Sequence, residues 1–439
     1  MKIYADEAWA HYIFKTFLAT YGIKNEENIV LSYGQDINTG GIIVLKGEKC
    51  DKNLILNGKQ ISVFHANLKE KIKGDILASY DDGIPAISYD KELNKIYLNS
   101  DIIKTSFLML SRAEEENTPK DELGRFQAKY TMNKNVEYPL INEYFELLLT
   151  LLKIIFENKG KKVEIRRFWP EDAPYAVCLT HDVDNVYKWW LKKIVSYVVK
   201  QRKIREVCIS IGRKEYWNFD KIIDLEEKYG FRSTFFFLTT KRDIQPRYNI
   251  RKLKKVICTL NNNGWEVGLH TGLDSYNDSI TLFKEKQTLE KVLGKKISGL
   301  RNHYLRFNAP ETWRIQEKSG FSYDTTLGFR ETVGFRAGFC HPYFPYDFNH
   351  DKPLKILELP MTFMDDAMFS SKNPYKTLDG VIETIKRFNG LLVVNWHQKV
   401  FDEKDYPDKI RMYKTMLERF KKDNAFVATC SEIVKWWKC

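Results

Sequence analysis

The chain has no uncharged apolar run of about 18 residues, the length a helix needs to cross a bilayer, so a helical membrane span is not expected. Cysteine is scarce. The seven residues at 50, 178, 208, 258, 340, 430 and 439 are scattered, odd in number and without a CxxC pair, which argues against a disulfide framework and for reduced thiols, several of them buried. No finger, basic-zipper or RNA-binding signature accompanies the positive charge, so nucleic acid is a disfavoured partner. Fixed-period repeats and low-complexity tracts are absent too. The opening stretch, "MKIYADEAWAHYIF", holds acids and no cleavable apolar segment, from which we expect no signal peptide and a cytoplasmic location.

What is present is ample apolar material. With 43% hydrophobic and 14% aromatic residues over 439 positions, the chain can bury more than one core and is expected to form two domains. The net charge of +12 is unevenly spread. Residues 1–160 hold 20 Lys and Arg against 23 Asp and Glu, whereas 161–439 hold 50 against 35. The basic second part points to an acidic partner: an anionic glycan, a phosphate-bearing lipid carrier, as of a lipid-linked glycan, or a membrane surface. The stretch Lys188–Lys214 alternates apolar residues with lysines and arginines. It reads mainly as a helix with a solvated basic face, and secondarily as a peripheral membrane contact.

Residues 1–156 mix short strand-like runs such as "GIIVL" with helical runs such as "EYFELLLTLLKIIFE", and predict a smaller α+β accessory domain. "RAEEENTPKDELGRFQAKYTMNKNVEYP" reads as a long surface loop within it. The charged, proline-ended segment 157–174 is the expected linker. From 175 to 439 the pattern changes to "YAVCLT", "STFFFLT", "WEVGLH", "ISGLRNHY", "SYDTTL", "KILELPM", "LLVVNW" and "AFVAT", most of them separated by helical patterns. Apolar strands alternating with helices predict a parallel sheet covered on both faces. Seven or eight units predict a (β/α) barrel.

In such a barrel, chemistry collects where the strands end. Four of the eight histidines fall there: His181 in "HDVD", His270 in "GLHTGLD", His303 in "RNHY" and His397 in "NWHQ". Asp182 and Asp184 accompany the first. A catalytic divalent metal takes about three protein ligands, commonly imidazole and carboxylate, and leaves a position open. His270 and one aspartate supply two, and His303 is the candidate third. A carboxylate nearby can take a proton from water, and a histidine opposite can give one to a leaving group. Singly, each residue has a plainer explanation. Asp184 could cap the next helix, Arg301 could sit in an ordinary ion pair, and His397 could be a hydrogen-bonded core histidine. Their joint placement favours a site. Outside it, His341 and His350 are expected at the surface, and Arg336 is at most a substrate contact.

"LTHDVD", "EVGLH", "RNHYLRF", "YDTTLGF" and "NWH", in that order, resemble the motifs of the polysaccharide deacetylases with NodB homology, carbohydrate esterase family 4, over residues 165–435. "FLMLSRAEEENTPKDELGRFQAKY" resembles the extra amino-terminal domain of one branch. The resemblance implies a distorted (β/α) barrel and metal-dependent removal of an N-acetyl group from an amino sugar. It implies Asp182 as general base, Arg301 as the residue that holds it, and His397 as general acid. Asp184 and His270 are implied metal ligands, and Asp324 lies in the region that orients the acid. A backbone N–H at Tyr304 is the implied oxyanion donor. Tyr304, Trp396 and Phe307 are expected to offer faces to a sugar. The family's second motif carries another histidine where this chain has Asp274. His303, where the third motif often has proline, is therefore favoured over Asp274 as third ligand, with one divalent ion, zinc, as the expected cofactor. Competing readings are a metal-dependent glycosyltransferase using the "DVD" pair and a barrel that binds glycan without turnover. Removal of a formyl group from a lipid-linked sugar is a close variant.

Overall fold

The structure, a computed structural model, describes all residues except 24–28, 38, 57, 66–73, 188–215, 241–247 and 439. The basic stretch Lys188–Lys214 thus lies outside the described residues.

At the centre of the second part stands the strand Ala176–Val183, buried along its whole length. Strand neighbours are parallel throughout. The order runs Leu357–Glu358, Tyr323–Asp324, Gly299–Arg301, Glu266–His270, Thr234–Leu238, Ala176–Val183, Leu391–Asn395, Phe363–Met364. Phe426–Val427 pairs with the first residues of the central strand. Both edges of this sheet belong to one extended segment, 357–364, whose start bonds Tyr323–Asp324 and whose end bonds Leu391–Asn395. The sheet therefore curls into a distorted (β/α) barrel. The edge pair Phe363–Met364 was too short to read from the sequence. Helices Ser279–Leu293, Pro374–Arg387 and Pro407–Lys422 cover the outside, in places where the sequence predicts helical patterns between strands.

Side-chain alternation sorts the strand residues. Ala176 and Cys178 pack inside with Phe236, Tyr323, Leu357 and Val393. Val177, Leu179 and Val183 pack outward in the large cluster that holds the helices. Two glycines make the interior possible. A Cβ on Gly299 would lie 1.8 Å from the Tyr323 ring, and one on Gly268 2.5 Å from Phe236. Two residues beyond these glycines on the same face come His270 and Arg301.

The first part is built on a mixed six-stranded sheet flanked by helices Ala8–Tyr21, Ile102–Leu110 and Leu140–Glu157. The chain between the last two is not the surface loop expected. Arg112, Glu115 and Phe126 within it are buried against the barrel. Arg336, expected at most to touch substrate, instead donates to Glu115 through Nε at 2.8 Å and Nη2 at 2.7 Å, and Arg112 Nε reaches the same carboxylate at 2.9 Å. Burial alone would raise the Glu115 pKa, but the two guanidinium groups outweigh it and hold the carboxyl below its usual range. Glu115→Gln leaves buried Arg336 without its anion, while Arg112 keeps Glu114 at 2.8 Å, and we expect it to lower unfolding stability by about 3–5 kcal/mol in urea titration.

Candidate active site

Five strand ends bring one polar ring together above the aromatic interior. Asp182 is the last inward position of the central strand. Arg301 Nη1 donates to its Oδ1 at 2.9 Å, and Asn395 Nδ2 to its Oδ2 at 2.7 Å. Burial pushes the Asp182 pKa up, but Arg301, followed by His270 and His397, more than reverses this, so the carboxyl stays ionised. Arg301 is fixed in turn by Thr180 Oγ1 at 2.7 Å and Thr325 O at 2.9 Å, with its guanidinium 4.8 Å from the centre of the Phe236 ring.

Asp184, His270 and His303 each offer a ligand atom, and all three atoms lie within 4.8 Å of one another. From Asp184 Oδ1, His270 Nε2 is 3.3 Å away and His303 Nε2 3.6 Å. His270 Nδ1 lies 2.9 Å from Arg301 O, so a proton on Nδ1 can donate there and leave Nε2, on the Asp184 side, available to ligate a metal ion. Two imidazole nitrogens and one carboxylate oxygen are a fitting donor set for a divalent ion such as zinc. Burial raises the Asp184 pKa, yet His270, His303, His397 and Lys399 together hold it well below the carboxylate range. His303 stacks on Tyr304 at 3.9 Å, and Tyr304 and Leu305 both adopt left-handed backbone, φ 58° and 57°. Two adjacent non-glycine residues in that region cost about 1–3 kcal/mol each, a strain that gathers at functional sites.

Across the cavity His397 Nε2 stands 3.9 Å from Asp184 Oδ2. Its Nδ1 bonds Asp365 Oδ2 at 2.5 Å, and its backbone N–H donates to the same oxygen at 2.8 Å. Lys409 Nζ binds the other Asp365 oxygen at 2.6 Å. Burial would lower the imidazole pKa, but the Asp365 charge and hydrogen bond overcome it, and the pKa is pushed up to about 9. Asp182, Asp184, His270, His303, Asn395 and His397 line a cavity of about 160 Å³ together with Arg125, Asn302, Arg330, Asp366 and Lys399. A larger cavity of about 600 Å³, between Ala8–Thr20 and the 342–353 loop, contains none of this cluster.

Several expected residues stand elsewhere. Asp274 is 81% exposed in its side chain and bound to Arg306 Nη1 at 2.7 Å, outside the ligand cluster. His181, one position from Asp182, points outward between helices, where it meets Glu226 Oε1 at 2.8 Å and Trp396 O at 2.7 Å. Asp324 faces the helix layer as well. It accepts from Gln316 Nε2 at 3.1 Å and Thr326 Oγ1 at 2.6 Å and does not orient His397. Asp365 does. Trp396 is fully buried among Phe369 and Tyr413, and Phe307 is buried against Trp313, so neither offers a face to a sugar; Tyr304 alone of the three lines the cavity. His341, expected at the surface, is buried against Asn142 and Asn389, with its pKa pushed down to about 3 by burial. His350 is half-exposed and bound to Asp347 Oδ2 at 2.9 Å. Asn395, Asp365 and Lys399 were missed. Asn395 shares a motif with His397 and the inward parity of Val393, which is a usable signal; nothing local distinguishes Asp365 from its neighbour Asp366.

The fold and the site together define an α/β barrel with an acid–histidine cluster able to hold a metal ion at its strand ends. Residues 3–157 match a family of unknown function (DUF7033). No curated protein matches the chain. In structure it is similar to a protein described as a polysaccharide deacetylase from Mycobacterium smegmatis, with 19% identity, 62% of this chain and 92% of that one covered, and a TM-score of 0.43. It is also similar to Puue allantoinase, with 16% identity, coverages of 61% and 92% and a TM-score of 0.43. A third similarity is to a protein described as a polysaccharide deacetylase from Pseudomonas aeruginosa PAO1, with 15% identity, coverages of 62% and 93% and a TM-score of 0.43. Among the described residues no helix is long and apolar enough to cross a membrane.

Proposed function

We propose that the chain is a metal-dependent hydrolase that removes an N-acetyl group from an amino sugar of a polysaccharide or glycan precursor. The observation that carries this reading is the convergence of Asp184, His270 and His303 on one point, with Asp182 and His397 both facing it. In this reading Asp184, His270 and His303 hold one divalent ion, zinc by preference. The ion supplies Lewis acidity toward the amide carbonyl oxygen and makes a water more acidic.

The chain's own residues do the rest. Asp182, kept ionised by Arg301, takes a proton from the attacking water as its oxygen bonds the carbonyl carbon. In this reading the backbone N–H of Tyr304 would donate to the oxygen on which negative charge develops. His397, charged because Asp365 stands behind it, gives its Nε2 proton to the nitrogen while the C–N bond breaks. Acetate and a free amine leave, and Asp182 and His397 return to their starting protonation by exchange with water. A glycosyltransferase would use the "DVD" pair together, whereas here Asp182 is engaged by Arg301 and Asn395 and Asp184 faces the histidines.

Metal content and acetate release from N-acetylated sugar oligomers test the reading. The full chain is expected to take up one equivalent of zinc and to lose acetate release on chelation. His303→Ala should lose metal affinity by at least about 10–100-fold, the range seen for groups that merely support ligands. Asp274→Asn should retain it. A chain that takes up no metal, or one whose uptake depends on Asp274 and not on His303, rules the reading out. Metal uptake with no acetate release from any N-acetylated sugar leaves a glycan-binding barrel.

A further inference from the structure

Three cations line the cavity above the metal-competent cluster and have no part in the chemistry just described: Arg125, Arg330 and Lys399. The acids on the same walls are engaged. Asp182 is held by Arg301 and Asn395, Asp366 by Lys409, and Asp184 faces the histidines. Lys399 Nζ stands 3.9 Å from Asp184 Oδ2, too far for a direct hydrogen bond. Arg330 is exposed and forms no hydrogen bond or ion pair among the described residues, so folding does not account for its charge. With a divalent ion bound, the cavity carries a clear positive surplus.

Arg125 does not come from the barrel. Its turn is built to bring it there. The Asp121 carboxylate accepts from the N–H of Leu123 at 3.0 Å and of Arg125 at 2.9 Å, and Gly124 supplies the left-handed residue, φ 75°. Asp121 Oδ2 also binds Arg125 Nε at 2.7 Å. The flanking chain is pinned to the barrel loop that carries Arg330. Ala128 N–H donates to Glu331 Oε1 at 2.7 Å, Phe335 N–H donates to Val136 O at 2.8 Å, and Glu115 holds Arg336. Two guanidinium groups from different parts of the chain thus share one small cavity with an ammonium. Planar forks of this kind match the two oxygens of a carboxylate or phosphate.

Resting on the hydrolase reading above, we propose that Arg125, Arg330 and Lys399 bind an anionic substituent of the substrate, a carboxylate or phosphate, beside the acetamido group. The amino-terminal part then completes the substrate site and selects acidic glycans.

The test measures calorimetric binding to the zinc-loaded full chain of three probes: a neutral N-acetylhexosamine oligomer, one alternating N-acetylhexosamine with hexuronate, and one bearing a sugar phosphate. At least one anionic probe should bind about tenfold tighter than the neutral one, or more, as expected of a charge-assisted hydrogen-bonded pair, and the preference should shrink as salt is raised. Which anionic probe gains separates carboxylate from phosphate recognition. Arg330→Gln and Arg125→Gln should each cut the anionic-to-neutral preference about tenfold. Equal affinity for all three probes, or a preference unaltered in both variants, overturns the proposal. Acetate release from the same samples is read separately. Preferential binding without acetate sinks the hydrolase and leaves the anion site standing, and acetate released with no anionic preference does the reverse.

Discussion

Asp182→Asn should release acetate from an N-acetylated sugar oligomer about 10³-fold more slowly than the unaltered chain, within the 10²–10⁴ range of a positioned general base. The amide keeps the shape of the carboxylate and one acceptor oxygen, so its contacts with Arg301 and Asn395 can persist in part. What it cannot do is take a proton. Asp182 is outside the group whose ligand atoms converge, so zinc content should remain at one equivalent. The variant also leaves the buried Arg301 without its counter-charge, which costs stability. Metal content and far-UV circular dichroism recorded on the same sample separate lost chemistry from lost fold. A variant that binds zinc, folds and still releases acetate at the original rate removes Asp182 from the mechanism.

The second large effect is expected at His397. His397→Ala should slow acetate release by about 10²–10⁴-fold, because an amine nitrogen leaves poorly without a proton. The pH profile carries more information than the rate. With its pKa raised to about 9, His397 is protonated, and able to act as an acid, below that value and loses the proton as pH rises through it. The alkaline limb of kcat should therefore fall at or below about 9, since a bound divalent ion repels the imidazolium and draws the value down. Asp365→Asn removes the charge that raises it, so the limb should move toward lower pH while Nδ1 keeps a hydrogen-bond partner. The same sign governs stability. The contribution of the His397–Asp365 pair is fully present below the unfolded imidazole value of about 6.5 and disappears as pH rises through about 9. An alkaline limb indifferent to Asp365→Asn would assign the acid to another group.

Much of the barrel could be read from residue types. Runs such as "YAVCLT" and "LLVVNW" are apolar and β-branched with turn or helix signals around them, and every one of the eight became part of the parallel sheet. The polar residues terminating them were legible for the same reason, since a histidine or aspartate closing an apolar run has no interior use unless something there needs it. Asp184, His270, His303, Asp182, Arg301 and His397 all line or support one cavity. Failures arose where a residue's direction depended on a neighbour far along the chain. Tyr323 fills the space beside Gly299, so Asp324 must face the helices and cannot reach His397. Trp396 and Phe307 carry the right side chains for a sugar, but the apolar helix layer claims both.

The order of residue types therefore determined that a parallel α/β barrel forms and that its strand ends carry a cluster of acids and histidines able to hold a metal ion, because alternation and strand propensity are local. Partner choice was left to the tertiary structure. Asp182 meets Arg301 across 119 residues, His397 takes Asp365 in place of Asp324, and Arg125 reaches the cavity from the amino-terminal part. Those pairings follow from strand order, pleat direction and the docking of the two parts, and none of these is encoded in the spacing of the residues they join.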